Sequence, residues 1–109
     1  MRVLFDNGTP KPLARSLAGH DVAFAREQGW HELKNGDLLR EAEQAGFDLL
    51  LTSDKNISYQ QNLSTRKIAI LVLGNQQWPD VKFQLDRIVA AVNAAVPGSY
   101  AEVEIPHKD

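Results

Sequence analysis

Along the chain the spacing of apolar positions switches repeatedly between the period of a strand and that of a helix. Val3, Leu4 and Phe5 predict a short strand, stopped by the Asp6-Asn7-Gly8 turn cluster. Pro10 and Pro12 fit the first turn of a helix, where a missing N–H is not needed; Leu13, Leu17 and Ala18 form its stripe and Gly19 its end. His20–Phe24 reads as a second strand, and a polar loop containing Trp30 runs from Arg26 to Gly36. Asp37 is expected to open the next helix, with Leu38, Leu39, Ala42 and Ala45 on one face and Gly46 at its end. Asp48–Thr52 predicts a third strand, apolar on both faces, followed by the turn Ser53-Asp54-Lys55-Asn56. A polar stretch with Tyr59 and Leu63, which a short helix would accommodate, leads to Ile68–Leu73, the most hydrophobic strand, stopped by Gly74-Asn75. Pro79 introduces a long helix with the stripe Val81, Leu85, Ile88, Val89, Val92 and Val96, ended by Pro97-Gly98. Tyr100–Ile105 alternates as a late edge strand would.

Strands alternating with helices predict an α/β fold: a single domain over residues 1–109, three-layered, with a mainly parallel sheet of four or five strands. The third and fourth strands, apolar on both faces, belong in the middle under helices on each side. Right-handed crossovers restrict the topology further. In such sheets ligands bind beyond the carboxyl ends of the strands, where strand order reverses, so function is to be sought in the post-strand loops.

Composition narrows the chemistry. The absence of cysteine excludes a disulfide scaffold, a thiolate metal site and a cysteine nucleophile. No apolar run approaches the ~18–20 residues of a membrane span, and the opening MRVLFD reads as a strand rather than a leader, so a cytoplasmic protein with no membrane partner is expected. A formal charge of −2 argues against a protein that coats DNA through many phosphate contacts, but not against an enzyme that touches nucleic acid locally.

Asp6 follows the first strand and Asp54 the third. If those strands flank the reversal point, the two carboxylates converge there, and Asp37 approaches from the side with Glu41 one helical turn on. Gathered carboxylates repel and raise one another's pKa, a cost that a divalent cation offsets; oxygen ligands suit Mg²⁺ or Mn²⁺. Such ions polarise phosphoryl oxygens and acidify bound water, which is the chemistry of phosphodiester hydrolysis. Each residue also has an ordinary structural reading. Asp6 can start a turn, Asp54 can cap the next element, Asp37 can serve the helix dipole, and Glu41 can be a solvated helix residue. The same rim would carry Lys11, Lys34 and Lys55 to meet phosphates, with Tyr59, Trp30 and Trp78 to stack on bases, although lysines commonly solvate surfaces and tryptophans commonly fill packing gaps. There is no glycine-rich phosphate loop, His20, His31 and His107 lack zinc-ligand spacing, and Ser53 is not in a nucleophile elbow.

The segments LFDNGTP, NGDLLREAEQAGFDLLLTSDKN and YQQNL resemble a family of small bacterial PIN-like proteins related to the PIN-domain toxins of toxin–antitoxin pairs, over roughly residues 1–80. The resemblance implies an α/β nuclease that holds Mg²⁺ or Mn²⁺ in an acidic cluster and cuts RNA, often as a dimer. Asp6, Asp37 and Asp54 fall on its acidic metal positions, and an antitoxin protein is the implied partner. Two positions depart from the pattern: Asn56 stands where a further acid is usual, and Leu38 where Glu often follows the helix-starting acid. Asn56, with Asn7, Thr52 and Glu41, is thus a supporting residue or a weaker ligand. The expected function is a metal-dependent ribonuclease in which metal-bound water attacks phosphorus. The alternative, favoured by Asn56 and Leu38, is a catalytically weak or inactive PIN-like module that binds nucleic acid or a protein. A receiver-like phosphoacceptor ranks third: Asn7 replaces the second acid usual after strand one, and Gly74-Asn75-Gln76, with no lysine, follows strand four.

Overall fold

The computed structural model describes residues 1–57 and 66–107. Five strands, β1 (Arg2–Phe5), β2 (Asp21–Phe24), β3 (Leu49–Thr52), β4 (Ala69–Leu73) and β5 (Tyr100–Val103), form one sheet in the order β2-β1-β3-β4-β5. Every neighbouring pair is parallel. All of β3 and β4 is buried, as their unbroken apolar runs require, and side-chain alternation sorts them onto two faces. Val3, Phe5, Leu49, Leu51, Leu71 and Leu73 lie beneath the 3-10 helix η1 (Lys11–Leu17) and the later helices α2 (Trp78–Val81) and α3 (Leu85–Ala94). Leu4, Leu50, Ile70 and Val72 lie beneath α1 (Asn35–Gln44) and Ile57. The result is the expected three-layer α/β domain, in which each fully buried leucine contributes roughly 1.5–3 kcal/mol.

Several boundaries depart from the sequence pattern. The helix after β1 is 3-10 rather than α: Leu13 N–H already donates to Pro10 C=O at 3.1 Å, and two prolines withhold their donors. A 3-10 turn, η2 (Arg26–Gln28), occupies the start of the loop after β2. α1 starts at Asn35, so Asp37 lies within its first turn rather than opening it. Its end is as expected: Gly46 takes φ +86°, and Phe47 N–H donates to Ala42 C=O at 3.0 Å. The long helix after β4 is interrupted by the 3-10 turn η3 (Lys82–Gln84), with Gln84 at φ −117°, ψ 18°. It ends before Val96, which is 60% exposed instead of completing the stripe. Tyr59 and Leu63 lie outside the described residues.

The connections β2→β3 and β4→β5 both advance toward the β5 edge, yet α1 and α3 pack on opposite faces. One of the two is therefore a left-handed crossover, which corrects the expectation of uniform right-handedness. The reversal of order falls between β1 and β3. The chain leaves β1 and β3 toward opposite edges of the sheet, and a cavity lies at their carboxyl ends.

Candidate functional site

Asp6 is fixed by the strands on which it sits. Its N–H extends the ladder to Leu51 C=O at 2.9 Å, which carries its carboxylate to the mouth of the crevice. Oδ1 accepts from Asn7 N–H and Oδ2 from the Thr52 hydroxyl, both at 2.8 Å. Thr52, the last residue of β3, is fully buried, and its Oγ1 also accepts from Asp54 N–H at 3.1 Å. One hydroxyl thus links the backbone of Asp54 to the carboxylate of Asp6. The Asp54 carboxylate accepts from Asn56 N–H at 3.0 Å in a local turn. Burial pushes the Asp6 pKa above its ordinary value and the negative charge of Asp54 adds to the rise, while the Thr52 and Asn7 hydrogen bonds oppose it.

Two cavities meet at Asp6. The first, of about 270 Å³, is walled by Asp6, Asn7, His31, Lys34 and Asp54 over Leu38 and Ile57. Asn7 closes one side by donating from Nδ2 to His31 C=O at 2.7 Å, which holds the loop before α1 in place. The second, of about 220 Å³, shares Asp6 and Asn7 and is bordered by Lys11, Arg26, Thr9 and Phe24. The loop after β1 is tight: Gly8 takes φ +87°, and a Cβ there would lie 2.5 Å from Gln76 Oε1. That oxygen accepts from the Ser53 hydroxyl at 2.8 Å, so the loops after β1, β3 and β4 are packed together.

The comparisons with protein-family models, curated proteins and solved structures gave no match.

The remaining expected residues divide by position. The structure brings Asp6 and Asp54 to one cavity with Asn7 and Lys34. Asp37 is absent from that wall: its carboxylate is 64% exposed and pairs with Arg40 on the next turn of α1. Among the described residues no three His, Asp or Glu side chains are gathered to hold a metal ion; Asp6 and Asp54 share the cavity without Asp37. Glu41 is half-buried on α1 and likewise takes no part in the wall, and Asn56 meets Asp54 through its backbone N–H. Lys11 borders the second cavity, and Lys55 a separate one of about 320 Å³ beside Gly74, Glu102 and Glu104. Trp30 is half-buried against Phe47, ring centroids 6.1 Å apart, and Trp78 is half-buried against the opposite core.

Two features escaped the sequence reading. Arg26 comes two residues after β2, where the post-strand rule applied to Asp6 and Asp54 would have found it. Asp80, buried in α2, accepts from His107 Nδ1 at 2.9 Å and Asn75 Nδ2 at 2.7 Å, pinning the segment after β5 to the loop after β4. No local pattern announces that contact, because it joins residues 27 apart. A recess of about 540 Å³ opens at the amino ends of the strands among Phe47, Ile68, Ala95 and Val96, and holds none of the expected residues.

Two carboxylates suit a Mg²⁺ or Mn²⁺ ion of the kind that takes one or two protein oxygens and fills its other positions with water and substrate phosphate. The raised pKa of Asp6 comes first from burial, with the Asp54 charge a smaller contribution, and a cation beside it would favour the charged form.

Proposed function

We propose that the chain is a Mg²⁺- or Mn²⁺-dependent ribonuclease whose hydrolytic centre is Asp6 and Asp54. The observation that carries this reading is their meeting at the β1/β3 reversal point, in a cavity that Lys34 also lines. When bound, the ion polarises a phosphoryl oxygen and acidifies water. Asp6 and Asp54 would hold it. Thr52 keeps Asp6 oriented through the 2.8 Å hydrogen bond to Oδ2 and Asn7 N–H through that to Oδ1, each oxygen keeping a second lone pair for the ion. Lys34 offers a positive charge to the substrate phosphate from the cavity wall, and Asn7 fixes the loop that carries it by binding His31 C=O. The resemblance to PIN-domain toxins adds an antitoxin partner that would cover this crevice, and a dimer as the acting form.

A cleavage assay on labelled RNA with added Mn²⁺ or Mg²⁺ tests the reading. Cleavage is expected for wild type, lost in Asp6→Asn and Asp54→Asn, and retained in Asp37→Asn, whose carboxylate pairs with Arg40 outside the cavity. Cleavage insensitive to Asp6→Asn and Asp54→Asn overturns it. A second reading, a PIN-like module that binds RNA without cutting it, is favoured by the missing third carboxylate; metal-independent RNA binding without cleavage supports it. Receiver chemistry would instead give acyl-phosphate formation on Asp54 from a small phosphodonor. The strand order is compatible with that too, so the sheet alone selects no activity.

A further inference from the structure

The cavity on the far side of Asp6 is walled by two cations that the hydrolytic centre does not use. Lys11 stands at its entrance with Nζ 5.5 Å from the centre of the Phe24 ring, and Arg26 reaches it from η2. Among the described residues neither side chain has a carboxylate within ion-pair distance. The carboxylate that shares the wall, Asp6, directs Oδ2 to Thr52 on β3, and its Oδ1 is taken by Asn7 N–H. Two positive charges therefore face this pocket against one carboxylate already engaged by hydrogen bonds. In a chain of net charge −2, two unpaired cations on one small concavity are a local excess that general surface solvation does not require.

The two cavities share one wall, Asp6 and Asn7. A phosphate backbone crossing that wall would meet the acidic pair and Lys34 on one side, and Lys11 and Arg26 on the other. We propose that the pocket between Lys11 and Arg26 is a phosphate subsite that holds a phosphate of the RNA backbone flanking the one presented to Asp6 and Asp54. The proposal rests on the reading of that pair as the hydrolytic centre. Arg26 supplies the forked donor geometry that suits two phosphate oxygens, and Lys11 a point charge, held at the rim by Phe24.

The test is anisotropy of a short 5′-labelled oligoribonucleotide in EDTA, so that no divalent ion takes part, over a series of salt concentrations. Lys11→Gln and Arg26→Gln are each expected to weaken binding about five-fold at low salt and together to lower the slope of log K against log salt by about 1.4. Lys82→Gln, a lysine lying over Phe83 on the later helical segment, serves as the control and is expected to bind as wild type. Asp6→Asn and Asp54→Asn are expected to bind at least as tightly as wild type. Equal loss in Lys82→Gln and Lys11→Gln, an unchanged salt slope in the double variant, or no binding by wild type at low salt would each overturn the subsite. Because this assay contains no metal and reads no cleavage, the subsite can stand where the hydrolase reading fails: binding weakened by Lys11→Gln and Arg26→Gln in a protein that never cuts RNA is that outcome.

Discussion

Thr52→Val isolates the hydroxyl that ties Asp54 to Asp6. Valine refills the volume of this fully buried side chain, so the change removes a donor and an acceptor and little else. The lost hydrogen bond to a carboxylate is worth about 1.5–3 kcal/mol. The stranded Asp54 N–H adds about 1 kcal/mol, the lower end of the usual penalty, because Asp54 is only half-buried and water can reach it. The new methyl returns about 0.8 kcal/mol through burial. The net loss is about 2 kcal/mol. At about 2.1 cal/mol/K per residue over 109 residues it lowers Tm by about 9 °C. Urea and thermal unfolding followed by Trp30 and Trp78 fluorescence measure it. The loss also carries a pH signature. The Thr52 hydrogen bond opposes the rise in the Asp6 pKa, so the variant raises it further and its native state binds more protons than wild type in that range. The deficit is therefore largest above the native Asp6 pKa and shrinks as pH falls through it. Thr52→Ser keeps the hydroxyl and should keep the pH dependence. A Thr52→Val protein within about 0.5 kcal/mol of wild type at neutral pH would refute the coupling.

Asp6 itself gives wild-type stability a pH dependence. Its carboxyl is favoured in protonated form by the fold, so stability falls as pH rises from the ordinary value of 3.8 through the higher native one, and the whole penalty is present above that. Asp6→Asn removes the charge while keeping an oxygen for Thr52; its urea midpoint should exceed that of wild type at neutral pH, with the gap closing in acid, and equal midpoints at neutral pH would count against the burial of this charge. Gly8→Ala should cost about 1–2 kcal/mol, from φ +87° and from a Cβ that displaces Gln76 from Ser53. An unchanged urea midpoint for Gly8→Ala would mean that the loops after β1, β3 and β4 are not locked together.

The strands were legible because burial is written in their composition: Leu49, Leu50 and Leu51, or Ile70, Leu71 and Val72, can only be central. Helix ends were legible where a glycine was needed, as at Gly46, and obscure where no side chain caps the start, as at Asn35, which follows Lys34. Over a single turn a 3-10 helix and an α-helix place apolar residues alike, so neither η1 nor the η3 break in the Val81–Leu85–Ile88 stripe could be read from spacing. The proximity of Asp6 and Asp54 was legible from their places just after strands, which the parallel register of β1 and β3 brings side by side. The place of Asp37 apart from that pair was not legible, because it depends on where α1 starts and which way its first turn faces. Two residues of difference leave it beside Arg40. The Asp80–His107 contact needed the path of the chain after β5, which no local pattern carries.

Mn²⁺ binding at the Asp6–Asp54 pair is the most direct measurement, read by the electron paramagnetic resonance of free Mn²⁺ and by thermal stability in the same titration. One ion per chain should bind to wild type and to Asp37→Asn, with about 2.7 kcal/mol of added stability at a hundred times Kd, and be lost in Asp6→Asn and in Asp54→Asn. Uptake that survives both of those substitutions, or no uptake by wild type, would contradict the account.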